Sequence, residues 1–337
     1  MDGSSIPRSV TERLYYDRDA VLEFQAVVTG LRAGGQEAGS DGQEKPFWCV
    51  ALDRTAFYPA GGGQPWDKGL LVTALPNAES LQVDVERVEE DEEGQVWHTV
   101  REPVAVGAQV AGRVDAERRM DHAQQHSGQH LLSAMFLREL GLPTVSFHLG
   151  AESVTIDLDA EKISPEDLYR VEDAVNRLIF EDRRMLSHWV EREEAERMLA
   201  RGELRKLPER AGRMRIVEME GVEFNACGGT HVRSTGAIGG LLVRRVEKVR
   251  QGQRVEFCCG LRAIRTARSD FARLRELGTL LSAGPADLAG RVAGLIEDKK
   301  QRAKERKLLE RQLREMEDRL TASPQKSRPG DEGRGQS

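Results

Sequence analysis

The chain has 337 residues, 39% of them hydrophobic, with 50 Lys and Arg against 56 Asp and Glu, a formal net charge of −6 and four cysteines. That length and apolar content allow a sizeable core and more than one domain, and they exclude a disordered chain. The acidic balance excludes a uniformly basic nucleic-acid binder, and neither a transmembrane run of about 18 apolar residues nor a secretory signal is visible, so a cytoplasmic protein with no membrane association is expected.

Residues 1–12 read as a flexible N-terminus. Residues 13–114 are β-rich, with short runs at 24–28, 48–52 and 81–85 separated by Gly and polar turns and a Gly- and Glu-rich loop at 34–46. This pattern predicts a small β-barrel domain. Within it, Tyr58-Pro59-Ala60-Gly61-Gly62-Gly63-Gln64-Pro65 places three glycines in a row. Glycines there permit backbone conformations closed to other residues and present bare amides to a ligand. The segment does not match the phosphate-cradling G-x-x-x-x-G-K-[ST] loop, and none is found elsewhere, which disfavours a nucleoside triphosphatase.

An α+β domain is predicted over 115–262. Its opening helix, 116–140, turns Leu131, Leu132, Met135 and Phe136 to a core and ends at Gly141 and Pro143. Ser164-Pro165-Glu166-Asp167 starts a second helix with Leu168, Val171, Val175, Leu178 and Ile179 on one stripe. Strands are predicted around 215–219, 240–246 and 254–259. The last carries Cys258 and Cys259, read as reduced structural thiols because four scattered cysteines do not make a secreted disulfide framework. Over 263–320 the pattern is helical and interrupted at Gly284-Pro285. Leu309, Leu313, Met316 and Leu320 follow 4, 3, 4 spacing, which suits a helical hairpin or short coiled coil through which a homodimer could form. Residues 321–337 read as a disordered tail.

Two segments about a hundred residues apart carry metal-ligating side chains. They are His126-Ser127-Gly128-Gln129-His130, on the predicted helix, and Cys227-Gly228-Gly229-Thr230-His231, on a Gly-Gly loop. His residues four apart lie on one helix face about 6 Å along the axis, and three His with one Cys are a legitimate Zn²⁺ ligand set. His122 extends the stripe, and spacing alone leaves open which two helix histidines bind. Four protein ligands would normally close a structural site, whereas catalysis needs a displaceable ligand, an expanded shell or an ion that orients substrate. Charge is segregated as well: residues 79–102 carry net −7, and residues 233–262 carry net +5, including Arg233, Arg244, Arg245, Lys248, Arg250 and Arg254. The basic stretch begins two residues after His231, so it either holds an anionic polymer beside the metal or forms a solvated strand face.

In this order, Thr55-x-Phe57-Tyr58-Pro59-x-Gly61-Gly62-Gly63-Gln64, His126-Ser127-Gly128-Gln129-His130-Leu131-Leu132 and Asn225-Ala226-Cys227-Gly228-Gly229-Thr230-His231 resemble the free-standing, AlaX-like alanyl-tRNA editing proteins. These are relatives of the alanyl-tRNA synthetase editing domain, and the likeness spans roughly residues 13–260. The resemblance implies a hydrolase that removes serine, and glycine as a second substrate, from mischarged tRNA-Ala in trans. It implies one Zn²⁺ held by His126, His130, Cys227 and His231, with His122 outside the set. Gly61, Gly62, Gly63 and Gln64 are implied to shape the substrate pocket, Thr55 to recognise the serine hydroxyl, and His148 to lie in a pocket-lining segment. Thr230 joins the pocket candidates, Arg244 and Arg245 are candidates for contact with the tRNA acceptor end, and no general base is assigned. The segment 263–320 resembles the helical linker of longer members. A non-catalytic tRNA- or RNA-binding module with a structural zinc is the alternative.

Overall fold

A computed structural model describes residues 11–17, 21–38, 44–74, 80–151, 153–209 and 212–321. The expected flexible residues 1–10 and tail residues 322–337 lie outside that set. The chain divides into two compact units, one up to Thr266 and one from Ala267.

The first unit opens with β1 (Glu12–Arg13) and the one-turn helix α1 (Leu14–Asp17). Thr11 is buried and its hydroxyl donates to Leu52 O, so order begins inside the stretch expected to be flexible. There follow β2 (Glu23–Ala38), β3 (Glu44–Leu52), β4 (Arg54–Thr55), β5 (Gly69–Ala74), β6 (Ser80–Val85), β7 (Arg87–Glu90), β8 (Val96–Val100) and β9 (Gln109–Val114). Strands β1 and β4 pair in parallel, and the others form an antiparallel sheet of order β6-β5-β9-β2-β3-β8-β7.

The expected small barrel is not formed, because the sheet stays open between β6 and β7. The 16-residue β2 pairs with β9 through Glu23–Val27 and with β3 from Val28 onward, with register shifts after Val28 and Ala33 that bend it. Strands β6 and β7 occupy opposite edges of the sheet yet are separated in sequence only by Glu86. A single residue turns this corner but supplies no ladder across it, and a barrel needs closed hydrogen bonding. Phe24, Val28, Val50, Leu52, Phe57, Leu71, Val83 and Val88 fill the core of this sheet.

The helix α2 (Ala116–Leu140) begins where the Asp115 side chain accepts from Arg118 N and ends at Gly141 in the left-handed conformation, φ 68°. After it come β10 (Thr144–Leu149), β11 (Val154–Leu158), α3 (Pro165–Phe180), β12 (Met185–Val190), α4 (Arg192–Ala200), β13 (Met214–Met219), β14 (Glu223–Ala226), β15 (Leu241–Val249) and β16 (Gly252–Cys259). They make a four-stranded sheet, β10-β11-β16-β15, and a three-stranded sheet, β12-β13-β14. Leu131, Leu132, Met135 and Phe136 of α2 join Val171, Val175, Leu178 and Ile179 of α3 over Ile156, Val217 and Phe257 in a second core.

Two contacts lay α2 across β16. A Cβ at Gly128 would meet Cys259 Sγ at 2.2 Å, so only glycine permits this approach. The Gln125 amide brackets Cys259, accepting from its N at 2.8 Å and donating to its O at 3.1 Å. The same helix is tied to the first sheet by the buried pair of Arg119 and Asp67, with Arg119 also donating to Ala56 O and Asp67 accepting from Tyr58 N. Helix α2 is therefore held from both sides.

The helix α5 (Gly260–Leu281) runs across the division between the two units. Described by itself, the second unit has a turn at Pro285–Asp287 and the 34-residue helix α6 (Leu288–Thr321). Two helices meet at the expected Gly284-Pro285 break, and on the long α6 Leu309, Leu313, Met316 and Leu320 are exposed. Among the described residues no helix is long and apolar enough to cross a membrane.

Candidate metal centre

Helix α2 places His126 and His130 one turn apart, and the loop leaving β14 brings Cys227 and His231 against them. Their ligand atoms all lie within 4.8 Å of one another, which makes the four residues a group that could hold a metal ion. Cys227 Sγ is 3.5 Å from His126 Nε2 and 3.4 Å from His231 Nε2. A tetrahedron with metal–sulfur bonds of about 2.3 Å and metal–nitrogen bonds of about 2.05 Å has N···S edges of about 3.5 Å. The donor set and its spacing are thus compatible with zinc. Although burial opposes its ionisation, the flanking His126 and His231 imidazoles hold the Cys227 thiol well below its ordinary pKa. Burial, reinforced by neighbouring His126, pushes His231 down to about 3. A thiolate with neutral imidazole is the protonation state a metal requires.

His126 and His231 each have a hydrogen-bond partner at the other nitrogen, and His130 stands near a carboxylate. His126 Nδ1 donates to Gln64 Oε1 at 2.9 Å, His231 Nδ1 lies 3.2 Å from Ser127 Oγ, and His130 Nδ1 lies 3.6 Å from Glu223 Oε1. These partners are an amide, a hydroxyl and a carboxylate, the groups that fix ring orientation and tautomer around metal-binding histidines. Ser127 Oγ also accepts from Val232 N at 3.1 Å, while Asn225 donates to the Glu223 Oε1 that faces His130 and Arg205 pairs with its Oε2.

The loop itself is gathered by Arg215, which donates to Cys227 O at 3.1 Å and Gly229 O at 2.8 Å. Gly229 N donates to Cys227 Sγ at 3.4 Å. A Cβ on Gly229 would stand 2.1 Å from His126 Cε1, so this glycine lets the loop close on the ring.

The other expected site residues divide into those that reach the cluster and those that do not. Gln64 is buried and spans the two halves of the unit: besides His126, its amide accepts from Thr230 N at 3.0 Å and donates to Thr230 Oγ1 at 2.9 Å. Gly61 and Gln64 exchange backbone bonds around Gly62 and Gly63, whose φ values of 56° and 81° are those of a type I′ turn. Phe147 covers this turn and stands over His126, with ring centroids 6.3 Å apart.

His148, the next residue on β10, is exposed, and strand alternation points it to the other face. The segment lines the site through Phe147 instead. Thr55 is fully buried, but its hydroxyl lies 2.8 Å from His98 Nε2 and accepts from Phe57 N at 3.1 Å. Because His98 Nδ1 donates to Val50 O, its Nε2 is the acceptor and the Thr55 proton is committed to it. Arg244 forms the bulge of β15 and Arg245 follows it. Both are exposed, and Arg245 pairs with Glu247 and Glu256 while Arg254 pairs with Asp157. Glu247 and Glu256 are already counted in the net +5 of residues 233–262, and Asp157 on β11 offsets it by one charge more. His122 is buried outside the cluster, its pKa lowered to about 4 by burial and then by Arg118.

Two family models match the chain. Residues 4–118 match tRNA synthetases class II (A), and residues 214–256, which contain Cys227 and His231, match the threonyl and alanyl tRNA synthetase second additional domain. The chain is 33% identical over 314 residues to the alanine-tRNA ligase of Pyrococcus abyssi, 33% over 324 residues to that of Methanopyrus kandleri and 31% over 314 residues to that of Methanosarcina barkeri. The chain is thus similar over about nine-tenths of its length to part of alanine-tRNA ligases, and it carries the second additional domain found in threonyl and alanyl tRNA synthetases. These alignments cover 90%, 94% and 90% of this chain but 32%, 33% and 32% of the relatives, so it spans about a third of their length.

Around the cluster, Ser127, Glu223, Arg215 and Phe147 are residues that motif reasoning passed over. The register of β13 with β14 pairs Ile216 with Ala226, which sets Arg215 beside Cys227 and is not visible from spacing alone.

Proposed function

We propose that this chain is a zinc-dependent, cytoplasmic hydrolase that deacylates mischarged tRNA-Ala in trans, with Ser-tRNA-Ala as the first substrate and Gly-tRNA-Ala as the second. The observation that carries this reading is the buried three-His, one-Cys cluster, oriented by Gln64 from the glycine turn, in a chain similar to part of alanine-tRNA ligases. His126, His130, Cys227 and His231 would hold the ion. Once bound, it supplies a fixed positive charge that can orient or polarise a substrate group.

The remaining work falls to the chain's own residues. An aminoacyl ester is already activated, so its hydrolysis needs orientation of the 3′ end, a positioned water and stabilisation of the developing oxyanion. The exposed Gly61–Gly63 turn offers backbone close to the cluster, and Phe147 forms an apolar wall above His126. Arg244 and Arg245, both exposed on β15, are assigned to contact with the acceptor stem.

Four protein donors also favour a second reading, in which the ion staples a tRNA-binding module without turnover. Single-turnover hydrolysis of Ser-, Gly- and Ala-tRNA-Ala separates the two. Rapid loss of Ser-tRNA with sparing of Ala-tRNA supports the hydrolase, and intact, bound Ser-tRNA supports the module. The exposed 4, 3, 4 stripe on α6 is proposed to pair with a second copy of the chain; a monomer in sedimentation equilibrium at micromolar concentration would overturn that pairing.

A further inference from the structure

An aromatic row runs past the cluster. Tyr58 donates through its hydroxyl to Gly61 O at 3.0 Å, at the glycine turn. From it the row continues through Tyr15 at 5.3 Å, Tyr16 at a further 4.8 Å and Trp189 at a further 5.5 Å between centroids, each contact edge to face. Tyr16 stands beside the ligand loop, its hydroxyl 3.7 Å from where a Cβ on Gly228 would be.

The members of the row are not alike. Tyr15 and Tyr58 are buried and serve the core, whereas Tyr16 and Trp189 are half-buried and leave part of each ring at the surface. Guanidinium groups surround this outer pair: Arg215 lies 6.0 Å and Arg13 5.6 Å from the Tyr16 ring, and Arg213 lies 5.9 Å from the Trp189 ring. Trp189 is directly opposite Arg215 in the β12–β13 register, and Arg213 is two residues away. Arg215 is used up on the loop carbonyls and Arg13 on Glu90. Arg213 pairs with Glu191 at 3.3 Å, with both side chains more than half exposed. Such a surface pair is weak and readily exchanged for another anion.

We propose that Tyr16 and Trp189, with Arg213, form the seat for the unpaired 3′-terminal nucleotides of the RNA, a base stacking on the half-buried rings and a phosphate meeting Arg213. Unpaired nucleotides are recognised through aromatic and arginine stacking combined with positive charge, whereas duplex RNA is read by shape and backbone. The seat deepens the deacylase reading and rests on it, because the aminoacyl ester sits at the end of such a strand and the seat adjoins Gly228. It also supplies the orientation of the 3′ end that the cluster alone does not.

The test measures binding of unacylated acceptor-stem hairpin RNA, with and without its unpaired 3′ end, to the full chain at fixed salt. The proposal expects the overhang to strengthen binding, and expects Trp189→Ala to weaken binding of the overhang RNA by about 5- to 100-fold with little effect on the blunt hairpin. Trp189→Phe should keep most of the affinity. Arg213→Glu, at an exposed position that does not endanger folding, should weaken the overhang RNA and flatten its salt dependence by about one charge. Equal binding of both RNAs by the parent chain, or unchanged overhang binding in both Trp189→Ala and Arg213→Glu, would overturn the seat. Hydrolysis of Ser-tRNA is scored separately. Overhang-dependent binding without hydrolysis would sink the deacylase reading and leave the seat standing, whereas hydrolysis with an unaltered KM in both variants would do the reverse.

Discussion

Gly229→Ala is expected to empty the metal site, while the neighbouring Gly228→Ala leaves it intact. A Cβ at residue 229 would lie 2.1 Å from His126 Cε1, 2.4 Å from His126 Nδ1 and 3.0 Å from Gln64 Oε1. Ordinary contact begins at 3.4 Å, so the ring must retreat by about 1.3 Å, against a tolerance of about 0.2 Å on metal–ligand distances. The same methyl intrudes where Gln64 accepts from His126 Nδ1. The loss of affinity should therefore exceed the roughly 10- to 100-fold that follows removal of an orienting partner. At residue 228 the nearest atoms to a Cβ belong to Tyr16, at 3.7 and 3.8 Å, and neither glycine has a left-handed φ. Alanine at 228 thus meets neither clash nor backbone strain. Competition titration with a chromophoric zinc chelator, beside thermal unfolding to confirm folding, reads the effect. Wild-type affinity in Gly229→Ala, or equal loss in both variants, would refute the reasoning.

Gln64→Ala removes the acceptor for His126 Nδ1 and both bonds to Thr230, so the same chelator titration should show zinc held about 10- to 100-fold more weakly; unchanged affinity would remove Gln64 from the orienting shell. Thr55→Val leaves His98 Nε2 and Phe57 N buried without partners and should cost about 1–3 kcal/mol in urea denaturation. The ratio of Ser- to Ala-tRNA hydrolysis should stay the same, and a collapsed ratio at unchanged stability would return hydroxyl recognition to Thr55. Burial lowers the pKa of His98 to about 4, against the raising effect of its bond to Val50. The unfolded imidazole titrates near 6.5, so this contribution is complete above about pH 6.5 and is lost as pH falls toward 4, with about 2 kcal/mol gone at pH 5. His98→Asn should flatten the fall in denaturation free energy between pH 7 and pH 5 by about that amount; an unaltered slope would show that His98 is not its source.

What was legible in the chain was local. Asp115 and Gly141 bracket α2, and the four-residue interval from His126 to His130 needs only helical geometry to place both rings on one face. The Gly228-Gly229 pair beside Cys227 marks a tight loop in the same way. Features set by distant pairing were not legible. The barrel failed because β6 and β7, joined through Glu86, are opposite edges of one sheet, and no local pattern reveals which edges find each other. His148 and Phe147 differ only in strand parity, so one residue of register decides which faces His126. The charge on Arg254 is offset by Asp157, a partner defined by the β16–β11 ladder. Glu223 and Arg215 reach the cluster through the β13–β14 hairpin and carry no motif of their own.

The most direct test is hydrolysis of Ser-tRNA-Ala by the folded chain in three states: as purified with its zinc content determined, stripped by chelator, and reloaded with one equivalent of zinc. The account predicts rapid loss of the ester with zinc, little without it and recovery on reloading, while Ala-tRNA-Ala is spared throughout. Full activity in the stripped but folded protein, or an intact ester in the loaded one, would contradict it.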